Sequence, residues 1–401
     1  MESPVQRILF IAPQPFFQER GTPIAVRLGV ETLAKSFKNM EIDLLTFGEG
    51  GTIEFPPSIN HTRCIQPSIL RNIAPGLSIK KIFTDMFITC SAIKLLATKK
   101  YTFIHGVEEG GIIAWWLSLI FRVPYIFDMD SKIVADVIRQ WRWLEPFIGI
   151  FKTIEAGAIK HATGIIAVCE SLAERAKRAG GKNIHVVTDC SLINEADTSV
   201  AYDNLRDLCR CKSTAPLMVY IGNLESYQGI DLLIDSVAQC THLDFHCVIL
   251  GGSPAKITHY KQKVDSLKLN HHISLVGPRP IASIGHYLKQ ADILVSPRAT
   301  EANTPMKIYS YLHAGKAILA TDLSTHTQVL SSEWSLLAPA TAEGFAQGIA
   351  SLVNDKALCL KLGAAAYKRA IEHHTPEVFE KAFTAAYQDF LGTQSKSISV
   401  K

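Results

Sequence analysis

Short apolar runs alternate with stretches in which apolar residues recur every three to four positions, first up to about residue 190 and again from residue 217. Runs of four to seven apolar residues suit parallel strands buried on both faces. The helical periods between them supply the crossovers of βαβ units. In the first half the predicted strands are 7–13 (RILFIAP), 42–47 (IDLLTF), 103–107 (FIHGV), 124–130 (PYIFDMD), 164–168 (GIIAV) and 184–189 (IHVVTD). Helical patterns opening at Pro23, Ser78, Gly110 and Glu170 separate most of them. The second series is 217–222 (LMVYIG), 245–252 (FHCVILGG), 273–277 (ISLVG), 291–297 (ADILVSP), 317–322 (AILATD) and 335–340 (SLLAPA). A final helix is predicted from the Thr375-Pro376 pair, a good N-cap and first-turn combination, to about Phe390. The tail 392–401 has the composition of a frayed end.

The expectation is an α/β protein of two Rossmann-like domains: 1–190, a polar linker at 191–215, and 216–371, followed by a terminal segment 372–401. Two such domains turn the carboxyl edges of their sheets towards a cleft, where ligands bind. A length of 401 residues fits two ordinary cores. With 47% hydrophobic and 19% charged residues and a net charge of +4, the chain reads as globular, and no nucleic-acid partner is expected. Nine scattered cysteines, an odd number, argue against a disulfide framework. The first residues run into a strand pattern without the charged and apolar regions of a signal peptide. Together these features predict a cytoplasmic location.

The richest stretch is 296–322, SPRATEANTPMKIYSYLHAGKAILATD, which reads as a strand exit, a Thr-Pro turn, a short helix ended by Gly315, and another buried strand. Such a turn at a sheet's carboxyl edge receives phosphate. Arg298 brings a planar fork suited to phosphate, and Lys307 stands in a first helical turn, where a bound anion would offset its conflict with the helix dipole. Asn303, Thr304, Pro305 and Met306 complete the turn, Glu301 lies beside it, and Ser310 follows on the helix face of Lys307. In the first half, Gly21 precedes a helix start and can let backbone approach an anion. His105, Glu108 and Glu109 cluster at a strand end, where they could select an acceptor or cap the next helix. The Asp128-x-Asp130 spacing is not read as a metal motif, because it ends a strand late in the first series.

The 296–322 segment resembles the nucleotide-sugar-binding segment Glu-Gly-Phe-Gly-x-x-x-x-Glu-Ala-x-Ala-x-Gly-x-Pro-Val of family-4 retaining glycosyltransferases. Gly315 fits, Ser310 stands at the second glutamate, and Ala302 at the first with Glu301 adjacent. The stretch 219–234, VYIGNLESYQGIDLLI, is similar to the family's Gly-Arg-Leu-x-x-x-x-Lys-Gly-x-x-x-Leu-Leu, with Asn223 and Gln228 where the diphosphate-binding arginine and lysine are usual. Aligned on Pro124, Asp130 occupies the place of a histidine that points at the donor sugar. Arg279, between two prolines, falls where the family brackets the base, and Gln328, with Thr325 and His326, falls on its Gly-Gly-x-x-Glu stretch.

What the resemblance implies is the GT-B fold over nearly the whole chain, with the last helix returning to the first domain. It implies a hexosyltransferase-type transfer with retention, needing no metal and no cofactor beyond the nucleotide-sugar donor. Asp130, Arg298 and Lys307 would be catalytic. The donor would be held by Gly21, Asn223, Gln228, Arg279, Arg298, Glu301, Asn303, Thr304, Pro305, Met306, Lys307 and Ser310. The acceptor residues expected from the strand-end cluster, apart from the resemblance, are His105, Glu108 and Glu109.

Trp115-Trp116, residues 138–143 and residues 78–100 mix basic and aromatic residues as interfacial helices do, which suits a glycan or lipid-linked acceptor and peripheral contact with the inner face of a membrane. Cell-envelope glycan or glycolipid synthesis is the expected setting. Two other readings stay open, a catalytically silent GT-B binding or scaffold subunit and a nucleotide-sugar epimerase, while the expected lack of a signal peptide argues against a periplasmic-type binding protein. The Cys209-x-Cys211 pair and His242, His246 and Cys247 lack zinc spacing and read as incidental.

Overall fold

A computed structural model describes residues 5–17, 21–73, 78–131, 133–193, 202–300 and 304–398, without the side chains of 135, 136, 139, 140 and 394–398. The chain divides into two compact units, one of residues 1–188 and 379–401, the other of 189–378.

The first unit runs β1 (Gln6–Ala12), α1 (Gly21–Ser36), β2 (Met40–Thr46), β3 (Ile59–Arg63), α2 (Ile79–Thr98), β4 (Phe103–Val107), α3 (Glu109–Phe121), β5 (Tyr125–Met129), α4 (Ile133–Gln140), α5 (Ile148–His161), β6 (Gly164–Ala167), α6 (Glu170–Arg178) and β7 (Ile184–Val186). Its seven strands are all parallel, in the order β3-β2-β1-β4-β5-β6-β7. Successive strand residues face opposite sides. Leu9, Ile11 and Leu45 therefore pack with Ile88 of α2, Leu117 of α3, Ile159 of α5 and Leu172 of α6 on one face. The other face meets α1 and the last helix.

The second unit begins with α7 (Leu205–Leu208) and continues β8 (Leu217–Ile221), α8 (Ile230–Ala238), β9 (His246–Leu250), α9 (Pro254–Ser266), β10 (Ile273–Gly277), α10 (Ile284–Gln290), β11 (Ile293–Ser296), α11 (Lys307–His313), β12 (Ala317–Thr321), α12 (Ser324–Thr327), β13 (Leu336–Ala338), α13 (Ala342–Asn354) and α14 (Lys356–His373). Its order, β10-β9-β8-β11-β12-β13, repeats that of the first sheet. Met218 and Tyr220 point into one core, Leu217 and Val219 into the other.

Three features depart from the sequence expectation. β3 (INHTR) is an edge strand with one buried residue, so it carries no apolar run. The described part of the expected linker is built into the second unit: Leu205 is fully buried, and Arg206 bonds Asp292 and the carbonyls of Lys212 and Ala215. Finally α15 (Pro376–Ile398) runs well past Phe390, where a frayed tail was expected. Phe379, Phe383, Tyr387 and Phe390 recur at helical spacing and are buried in the first unit. Gly29 of α1 and Gly164 of β6 leave room for the rings of Phe383 and Phe390; a Cβ at Gly164 would stand 2.3 Å from the latter.

Candidate functional site

In an open parallel sheet the ligand crevice lies outside the carboxyl ends of the strands, where the strand order reverses. In the second unit that point falls between β8 and β11. After β8 the chain passes Gly222 and a 3₁₀ turn, Ser226–Gln228, then enters α8 through Gly229 at φ +75°. Only glycine serves there: a Cβ would lie 1.7 Å from the carbonyl oxygen of Pro297. This close approach sets the loop after β8 against the loop after β11.

The juxtaposition gathers the site. Lys307, the first residue of α11, donates to Gln228 Oε1 at 3.1 Å, and its ammonium lies 3.9 Å from the centroid of the Tyr220 ring. Arg298, 6% exposed, donates to Thr325 Oγ1 at 3.2 Å and lies 5.4 Å from the Tyr227 ring centroid. Cation–π contacts of this kind attract a cation without neutralising it. Burial, and after it the charge of Arg298, holds the pKa of Lys307 well below the ordinary lysine value. Among the described residues no carboxylate pairs with Lys307. Thr304, in the turn before α11, has a buried hydroxyl with no hydrogen-bond partner among the described residues. Two cations and an unused hydroxyl at one sheet edge make a receptor for an anion with several oxygens, such as a diphosphate.

Other expected donor residues fall differently. Asn223 is exposed and donates to Tyr227 Oη at 3.2 Å, so it belongs to the rim of this site. Pro305 and Met306 form the turn into α11, while Glu301 and Asn303 lie outside the described residues. Ser310 is 3% exposed, and its hydroxyl accepts from the Leu192 N–H at 3.1 Å, which corrects the expected ribose contact: the side chain holds the unit's entering strand of chain. Arg279 turns back on its own loop, donating to the carbonyls of Val276 and Pro278 and to Asp203 at 3.0 Å, so it is a brace for 202–203 rather than an open base contact. His326 is fully buried between Ser296 Oγ (2.9 Å) and the Thr321 carbonyl (2.9 Å), and burial drives its pKa down to about 3. It is a neutral strut under Arg298, not a sugar contact. Gln328 donates to the Ser324 carbonyl within α12's turn.

At the carboxyl edge of the first sheet the chemistry is reversed. Gly21 is the exposed first residue of α1, with open space around its Cα. Lys81 of α2, almost wholly buried, forms an ion pair with Glu109 and lies 4.0 Å from Glu108, and the carboxylates raise its pKa against the effect of burial. Glu108 sits at φ +51°, with its N–H donating to the Asp128 carbonyl. The two glutamates expected to select an acceptor are therefore engaged by a lysine from the neighbouring helix. Beside them, burial pushes the carboxyl of Asp85 well above its ordinary value.

His105 is corrected as well: it is fully buried, stacked on Phe10, and cannot reach an acceptor. Its Nε2 lies 3.1 Å from Asp128 Oδ2 and its Nδ1 2.6 Å from Tyr387 Oη. A carboxylate only accepts, so Nε2 carries the proton and Tyr387 donates to Nδ1. That chain of bonds locks α15 onto β4 and β5. Asp130, half-buried, follows β5 at the same sheet edge.

Sequence reasoning missed Tyr220, Tyr227, Lys81 and Tyr387. Tyr227 stands four residues after Asn223, a spacing that could have signalled it; a tyrosine inside a buried strand or the last helix gives no such sign.

The family model described as glycosyl transferases group 1 matches residues 206–369, which contain the Arg298–Lys307 site. Among curated proteins no sequence match is found. Solved structures match along nearly the full length. Sucrose-phosphate synthase from Thermosynechococcus elongatus is 17% identical, covering 96% of this chain and 99% of its own, with a TM-score of 0.77. Anabaena HepE in complex with UDP is 14% identical, covering 96% of this chain and 100% of its own, with a TM-score of 0.72. WaaG, a glycosyltransferase involved in lipopolysaccharide biosynthesis, is 13% identical, covering 94% and 99%, with a TM-score of 0.67. Residues 206–369 thus match the glycosyl transferases group 1 model, within a chain that has the GT-B fold of the solved glycosyltransferases it resembles.

Proposed function

We propose that this chain is a retaining, metal-independent glycosyltransferase that moves a hexose from a nucleotide-sugar donor to a hydroxyl of a glycan or lipid-linked acceptor in cell-envelope synthesis. The observation that carries this reading is the convergence of Arg298 and Lys307 at the β8/β11 edge, with Lys307 bonded to Gln228 and, among the described residues, to no carboxylate. Two similar structures support the donor class: HepE solved with UDP-glucose, and the catalytic domain of Arabidopsis starch synthase IV bound to ADP and acarbose.

On this reading the diphosphate occupies the positive edge, and Arg298 and Lys307 stabilise the charge that grows on it as the glycosidic bond breaks. Gln228 holds the lysine in place, and Thr304 offers a hydroxyl to the same group. The departing phosphate oxygen takes the proton of the acceptor hydroxyl on the face it leaves, so the anomeric configuration is kept. Asp130 accepts a hydrogen bond from a sugar hydroxyl or counters the oxocarbenium charge.

The test is a donor-hydrolysis assay over a panel of nucleotide sugars. At least one donor releases nucleotide, and Arg298→Ala and Lys307→Ala abolish the release. A second reading, a silent subunit that binds without turnover, is favoured by Ser310 and Asn223, which stand where the family resemblance expects a glutamate and an arginine. It is upheld if a nucleotide binds tightly and no donor is consumed.

A further inference from the structure

On α2 the inward residues Thr84, Ile88, Ala92 and Leu96 pack on the sheet. The outward face is apolar too. Ile79, Ile82, Phe83 and Met86 recur at three- and four-residue intervals on the solvent side, with Ile93 two turns further on, and Phe83 is 52% and Met86 61% exposed. A surface helix ordinarily turns charged residues outward, so a second apolar stripe wants a second apolar partner.

The stripe does not end with the helix. Ile65 and Ile69, in the segment leading from β3 to α2, are exposed, and Lys80 Nζ ties that segment to α2 through the Arg71 carbonyl at 3.0 Å. In the same helical layer α3 exposes Trp116, Leu119 and Ile120, and α5 with the turn before it exposes Trp143, Phe147 and Ile150. The α3 and α5 helices are packed closely: a Cβ at Gly157 would stand 2.7 Å from the Trp115 ring. Around these residues the exposed charges are Arg71, Lys80, Lys94, Lys100, Arg122, Arg142 and Lys152, against Glu145 alone among the described residues.

We infer that the outer face of the α2–α3–α5 layer docks on an anionic phospholipid surface. An apolar stripe with tryptophans and a basic fringe is complementary to acyl chains below an anionic headgroup layer. A second copy of this chain is a poorer partner, because an isologous contact would set one basic fringe on the other. No helix of the described residues is long and apolar enough to cross a membrane, so the contact is made from the side. The apolar density is greatest in the first turns of α2, which follow β3 and so stand at the carboxyl edge of the first sheet. Resting on the glycosyltransferase reading, this places a membrane-held acceptor beside that edge.

The test is sedimentation of the full chain with vesicles of phosphatidylcholine alone or with about one third phosphatidylglycerol, in the absence of donor. The chain should sediment with the anionic vesicles only, less so at high salt, and the fluorescence of Trp116 and Trp143 should shift to the blue. Phe83→Glu with Met86→Glu should weaken binding at least tenfold and leave the unfolding transition in place; Trp116→Glu, on another helix, serves as a second probe. Absence of wild-type binding overturns the inference, as does unchanged binding by folded variants or a dimer in light scattering that the Phe83/Met86 variant disrupts. Nucleotide release in vesicle-free solution tests the enzymatic reading separately, so either can fail alone.

Discussion

The two sheets share one strand order, yet their carboxyl edges carry opposite chemistry. At the second, Lys307 faces a glutamine, a tyrosine ring and a neighbouring arginine, and its pKa is pushed down. At the first, Lys81 faces Glu109 and Glu108, and its pKa is pushed up. Topology supplies a crevice in both places; side-chain charge decides which one wants an anion. A self-neutralised lysine stabilises the fold, whereas a half-buried lysine that no carboxylate among the described residues pairs is held ready for a ligand that brings negative charge.

The contrast breaks most readily at the second edge. Replacing Arg298 and Lys307 together by alanine should lower nucleotide release by about a thousandfold, roughly 4 kcal/mol, with little change in unfolding. Lys81→Ala should do the reverse: breaking a buried pair costs about 3 kcal/mol or more of stability, read in urea denaturation, and leaves nucleotide affinity unchanged. If Lys81→Ala impairs nucleotide binding instead, the division of labour between the edges is wrong.

A smaller effect follows from His326. Its folded pKa, about 3, lies below the ordinary 6.5, so the unfolded chain binds the extra proton. The stability this neutral imidazole provides is complete above pH 6.5 and is lost as pH falls from there towards 3. At pH 5 the loss from this residue is about 2 kcal/mol, and His326→Gln should flatten the dependence of the melting temperature on pH between 7 and 5. Least costly is Tyr387→Phe, which removes one donor to His105 and should cost about 1 kcal/mol in denaturant unfolding without affecting nucleotide binding.

Strand and helix order was legible because parallel strands buried on both faces must be largely apolar, as β8 (LMVYI) and β11 (ILVS), both buried throughout, are. The edge strand β3 was not, since INHTR has one buried side chain to give it away. Arg298 and Lys307 were legible as a pair around a turn. Their partners were not: Gln228 reaches Lys307 only because Gly229 brings its loop against Pro297, and sequence spacing does not report that approach. His105, Glu108 and Glu109 misled for the same reason in reverse. Polar residues at a strand end look available until Tyr387, 282 positions on from His105, and Lys81 are found to satisfy them.

Calorimetric titration with UDP and ADP, in two buffers of different ionisation enthalpy, tests the central claim most directly. Because an anion favours the charged form of a lysine whose pKa burial has lowered, binding should take up protons, weaken as pH rises, and lose both traits in Lys307→Ala. Failure of either nucleotide to bind, or binding by Lys307→Ala with unchanged affinity and proton uptake, would contradict the assignment of the β8/β11 edge as the diphosphate site.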